Sequence, residues 1–157
     1  MAAPAQSVVT TEPAYTRGPS IVLRVHPALP LFVLEPGVVA QQLTDTTIAP
    51  VPNCASWFRG VARHGGQIVP FFDIARWVGV DRLDERGVKI ISLTAGPHVL
   101  GLLASESPMV LPAGHPVVHW LGKDGLLANK GASETACQFD PSTWLAEIAA
   151  SVAAESR

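Results

Sequence analysis

Proline and glycine cut this chain into short apolar runs, and that spacing restricts its fold more than any other feature. There are 14 prolines and 13 glycines in 157 residues. Proline fixes φ and removes a backbone donor, so it interrupts helices and confines strands to short stretches. The runs between these breaks are rich in Val, Ile, Leu and Phe, which favours strands. Residues 21–25 and 31–34 read as strands around a proline-bearing turn, and 38–43 follows. Pro50 and Pro52 then force an extended segment.

Residues 61–72 read as a hairpin turning at Gly65-Gly66. Pro70 within it suggests an edge strand or a bulge. Residues 73–79 look like one or two helical turns, with Asp73 as N-cap and Gly79 as the stop. After a polar connection over 81–87, residues 88–93 and 98–103 form a second hairpin around Gly96-Pro97. Residues 109–111 continue the sheet, 117–121 and 125–128 are weaker strand candidates, and 136–139 is the last strand. Asp140-Pro141 then opens a helix, Asp as cap and Pro at the first position. Trp144, Leu145, Ile148 and Val152 fall on one of its faces. That face should dock on the core and leave Glu147 and Glu155 outside. Residues 1–19, rich in Ala, Pro, Thr and Ser, read as a disordered N-terminal tail ahead of one domain over 20–157. Many short strands with Gly and Pro turns imply an all-β sandwich or small barrels.

Composition narrows the function. Apolar residues make up 48% and charged residues 15%, and the low charge hints at surface reserved for partners. A net charge of −2 with no basic run argues against nucleic acid. No apolar stretch nears the ~20 residues a membrane span needs. The longest, 21–34, is broken by Arg24, His26, Pro27 and Pro30. Residues 1–10 lack the pattern of a signal peptide, so a cytoplasmic location is expected. Cys54 and Cys137 are isolated and should stay reduced there.

No catalytic constellation stands out. His115 and His119 have a metal-like spacing only in a helix, and Pro116 lies between them. In a strand their side chains sit about 13 Å apart. Cys54 as a nucleophile lacks a neighbouring base, and a small buried residue is the better reading. Residues 60–66 lack the lysine and helix of a phosphate loop. Asp73 and Arg76 read as cap and surface ion pair rather than an acid–base pair. Trp77 and Trp144 read as core.

Residues 51–79 carry the most specific signal: Val-Pro-Asn-Cys-Ala-Ser-Trp-Phe-Arg-Gly-Val-Ala-Arg-His-Gly-Gly-Gln-Ile-Val-Pro-Phe-Phe-Asp-Ile-Ala-Arg-Trp-Val-Gly. This resembles the signature of CheW-like domains, through Trp57, Gly60, Val61, Gly66, Ile68, Val69, Pro70, Asp73 and Ile74. The later segment 88–111, with Gly101-Leu102-Leu103, is similar to the family's second-half hairpin. The resemblance extends over roughly 20–152. It implies two small five-stranded SH3-like β-barrels sharing a core, closed by a C-terminal α-helix. It also implies a non-catalytic adaptor without cofactors, joining a chemoreceptor cytoplasmic tip to the regulatory domain of a CheA-type histidine kinase. The single-domain length and closing helix look like pilus-motility members. Val39, Gln41, Arg59, Arg63 and Gly65 match or flank family positions that contact kinase or receptor. Three of the family's residues differ. Gly65 stands where the family usually has Arg, Gln41 where it has an acidic residue, and Ser105 where it has Asp. Two further readings stay open: a divergent module serving another regulator outside receptor arrays, and a ligand or enzyme module in a barrel mouth.

Overall fold

The structure, a computed structural model, describes residues 14–81 and 85–155. Eleven strands are placed: β1 (Ala14–Tyr15), β2 (Ser20–Leu23), β3 (Leu31–Leu34), β4 (Val39–Leu43), β5 (Phe58–His64), β6 (Gln67–Phe72), β7 (Lys89–Ala95), β8 (His98–Ala104), β9 (Met109–Leu111), β10 (Pro116–Val117) and β11 (Ala136–Phe139). Two short α-helices lie between strands, α1 (Ile74–Val78) and α2 (Gly122–Ala128), and a longer one, α3 (Pro141–Glu155), follows β11. The protein is all-β in class, with the helices packed on the sheets.

One sheet has five strands in the order β4-β7-β8-β6-β5; the other has four, β11-β3-β2-β9. Neither forms a closed barrel among the described residues, but each curls back on itself. In the first, Ala49 beyond β4 exchanges two backbone hydrogen bonds with Val61 of β5, at 2.8 and 3.0 Å. In the second, Val118 bridges Cys137 of β11 and so carries the β1–β10 ribbon along. Thr16 fastens that ribbon. Its hydroxyl donates to Pro112 O at 2.7 Å and accepts from His115 N at 2.9 Å. Thr16 is itself buried. Ala14 and Tyr15, read from sequence as part of the tail, are thus paired strand. Residues 1–13 of that tail lie outside the described residues.

Local rules explain most elements. Gly65 and Gly66 both have positive φ, 59° and 77°, as a two-residue hairpin of primed type requires. Asp73 Oδ1 accepts from Arg76 N at 3.2 Å, and Gly79 ends α1 at φ 103°. Asp140 Oδ1 accepts from Ser142 N at 3.1 Å, opening α3 ahead of Pro141. Pro70 lies in an interior strand and not at an edge. β6 pairs with β8 only from Phe71 onward, so the missing amide falls where that ladder begins. The bulge lies in β5 instead, between Phe58 and Gly60.

Two strand expectations give way. Residues 125–128 belong to the helix α2. They hold no β-branched residue, while Leu and Ala favour helix, and Leu126 alone is buried there. Of 117–121, only Val117 is in a named strand; beyond the single bridge at Val118, Trp120 leaves the sheet to pack edge-on to Phe32 and Phe139.

The two sheets share one core. Leu23, Phe32 and Phe139 from the four-stranded sheet meet Phe72, Ile91 and Leu102 from the five-stranded one. Trp144 sits between them, fully buried. Its ring is edge-on to Phe72 at 4.9 Å and to Trp77 at 5.9 Å. Each sheet also has a small core on its other face, around Val22 and Val117 in one and Val69 and Phe71 in the other.

Candidate protein-interaction surface

The five expected contact residues occupy both edges of the five-stranded sheet. Val39 and Gln41 lie on β4, opposite Thr94 and Ser92 of β7. Both are exposed, Val39 by 62%. Arg59 and Arg63 lie on β5 at the other edge, and Gly65 is at the tip of the β5–β6 hairpin. The structure therefore groups Arg59, Arg63 and Gly65 and sets Val39 and Gln41 apart from them.

Burial alternates along β5 beyond its bulge. Gly60 and Ala62 are buried, whereas Val61 is half-buried and Arg63 exposed. Arg59 sits at the bulge and is half-buried. Gly60 allows the edge to fold over. Its φ is 130°, and a Cβ there would strike the Ala49 carbonyl. Opposite Arg63 stands Ile68, 61% exposed, a residue whose exposure sequence reasoning did not bring out.

A groove of about 820 Å³ lies between the 53–58 loop and α3. Trp57, Phe58, Pro70, Leu145, Ala149 and Val152 are among its lining residues. Three expectations are corrected here. Val152 is 48% exposed rather than docked: of the residues on that face, Trp144 and Ile148 are buried and Val152, one turn further on, is not. Cys54 is exposed rather than buried. Pro50, Pro52 and the left-handed Asn53, at φ 62°, hold its loop off the sheet. Glu147, expected in solvent, turns inward. Its carboxylate accepts from Trp120 Nε1 at 2.9 Å and from Lys123 N at 3.0 Å.

The other titratable groups are tied locally and do not converge. His26 Nδ1 accepts from Ala28 N at 3.0 Å, and its Nε2 lies 2.9 Å from Asp81 O. His115 and His119 contact Pro116 O and Gln138 Oε1. Among the described residues no three His, Cys, Asp or Glu side chains gather as a metal site. Burial pushes the Cys137 thiol up to about 12. Arg24 joins four segments through Glu106, Leu29 O and Ser133 O, while its own carbonyl accepts from Ser105. Ser105 Oγ donates that bond at 3.0 Å. An ionised Asp has no proton to give there. No helix among the described residues is long and apolar enough to cross a membrane.

Comparison with known proteins agrees with this architecture. No curated protein sequence matches. Among solved structures, the chain is similar to the scaffolding protein TtCheW of Thermoanaerobacter tengcongensis, at 21% identity and a TM-score of 0.50. The match covers 62% of this chain and 66% of that one, just under two thirds of its length. It supports the fold. The family model described as CheW-like domain matches residues 21–111, more than half of the chain. That span runs from β2 to β9 and includes both hairpins and both edges of the five-stranded sheet, so the chain belongs to the CheW-like domain family.

Proposed function

We propose that this protein is a non-catalytic cytoplasmic adaptor that couples a chemoreceptor tip to a CheA-type histidine kinase, in chemotaxis or pilus signalling. The family match over 21–111 carries this reading. The exposed edges of the five-stranded sheet support it. Val39 and Gln41 on β4 and Arg63 on β5 are exposed, which leaves residues of both strands free to meet partners. Arg59, Arg63 and Gly65 face the kinase or receptor in this reading, with the arginines meeting acidic groups. Contacts of this kind are weak singly and gain strength by repetition in an array. Calorimetric titration with the regulatory domain of the cognate kinase tests it. Saturable binding is expected, and Arg63→Glu should weaken it by about tenfold, or about 1.4 kcal/mol. Unchanged affinity in Arg63→Glu would remove β5 from the interface.

A second reading, a CheW-like module serving another regulator, is favoured by one observation. Gly65 has φ 59°, a conformation that glycine adopts freely and arginine does not. The hairpin tip is thus built around the absence of the family's usual side chain.

A further inference from the structure

Strand β11 is fully paired on one side and only partly on the other. Toward β3 it forms a parallel ladder, in which Leu31 N donates to Thr135 O at 2.8 Å. Toward β10 there is a single bridge. Val118 N donates to Ala136 O at 2.9 Å, and Gln138 N donates to Val118 O at 2.8 Å. Alternate residues of a strand address opposite neighbours, so Glu134 and Ala136 turn their backbone groups toward β10 as Gln138 does. The next rung would join Ala136 N to Pro116 O and Pro116 N to Glu134 O. Pro116 has no N–H to give. Its carbonyl lies 2.9 Å from His115 Nδ1 instead. Ala136 N and Glu134 O have no hydrogen-bond partner among the described residues, although Ala136 is only 2% exposed. Buried backbone groups are nearly always paired. Where the rung is missing, residues 115–118 and 133–136 part around a cavity of about 730 Å³.

We propose that an extended peptide segment of a partner protein binds in that cavity and continues the sheet along the open edge of β11. A peptide backbone carries an acceptor for Ala136 N and a donor for Glu134 O at the spacing a strand presents. A simple anion would answer only the first. The buried side chains of Leu31, Val117 and Ala136 also line the cavity, and they suit a compact apolar residue. Arg24 lines it too, but its charge is met by Glu106 at 2.9 Å. The exposed carboxylate of Glu134 therefore sets the charge preference, and it favours basic residues on the peptide. This site belongs to the four-stranded sheet, whereas Val39, Gln41, Arg59, Arg63 and Gly65 belong to the five-stranded one. The proposal stands whether or not the chain couples a kinase.

Nuclear magnetic resonance of the isotope-labelled full chain tests this, with the capped pentapeptide Lys-Thr-Val-Thr-Lys as probe. The Ala136 amide resonance should shift saturably, and its hydrogen exchange should slow as the bond forms. The same peptide with its central amides methylated should leave Ala136 unmoved. Pro116→Ala supplies the missing N–H and lets β10 close on Glu134 O, so it should weaken the peptide about tenfold or more. Glu134→Lys should weaken it as well, by repulsion. Both positions are exposed, and circular dichroism should be unchanged. An Ala136 amide that ignores the peptide at every concentration would overturn the proposal. So would equal binding of the methylated peptide, or an affinity indifferent to Pro116→Ala.

Discussion

Cys54 and Cys137 are chemically alike in sequence and opposite in the fold. Cys54 lies exposed on the 53–58 loop, whereas Cys137 of β11 is buried beneath Phe32 and Phe139 in the shared core. A thiol reagent should modify one equivalent rapidly in the native protein and the second only on unfolding. Burial raises the Cys137 thiol from 9.0 to about 12. Above the lower value the unfolded chain loses a proton that the folded chain keeps, so the unfolded state gains stability as pH rises. The contribution of Cys137 is therefore fully present below pH 9 and is lost progressively toward pH 12. Denaturant unfolding across that range should show falling stability in the native sequence and a flatter profile in Cys137→Ala. Identical slopes would mean that the thiol is reached by water. Neither environment was legible from sequence. Burial is decided by which elements pack above a residue, and nothing beside Cys54 or Cys137 in the chain records that.

At the scale of elements, α3 is held by one ring and one carboxylate. Trp144 packs between the two sheets, and its Nε1 has no hydrogen-bond partner among the described residues. Trp144→Phe thus removes volume but no hydrogen bond, whereas Trp144→Ala should cost about 3–5 kcal/mol by leaving a cavity. Glu147→Ala strands the indole N–H of Trp120, which is partly buried, and should cost about 1–3 kcal/mol. Thermal unfolding of the three variants should therefore rank Trp144→Ala as the least stable. Equal melting temperatures for Trp144→Ala and Trp144→Phe would contradict the packing described. The start of α3 was readable because Asp140-Pro141 is a local signal, as were Asp73 and Gly79 around α1. Helix α2 was not readable, because a single buried residue, Leu126, leaves no period to detect. The inward turn of Glu147 depends on Trp120, 27 positions away, and no helical pattern on α3 contains that information. Strand β1 was missed for a similar reason, since two residues become a strand only through their partner β10.

For the whole molecule, the fold class followed from hairpins at Gly65-Gly66 and Gly96-Pro97 and from the apolar strand faces, whereas the shared core came from the resemblance of residues 51–79 to CheW-like domains. The two closed barrels that the resemblance implied are not formed among the described residues: each sheet stays open and is only partly drawn round by bridges such as Ala49 to Val61, which no local pattern announces. The two expected contact groups lie on the first and last strands of one sheet, β4 and β5, and the proposed function has them hold two partners at once. That bridging is the central claim, and reconstitution measures it directly. Kinase autophosphorylation should be followed on vesicles bearing the cognate receptor, with and without this protein. The account predicts that receptor control of the kinase appears only when the protein is present and is lost in Arg63→Glu. Receptor control without the protein, or no control at any concentration of it, would contradict the account.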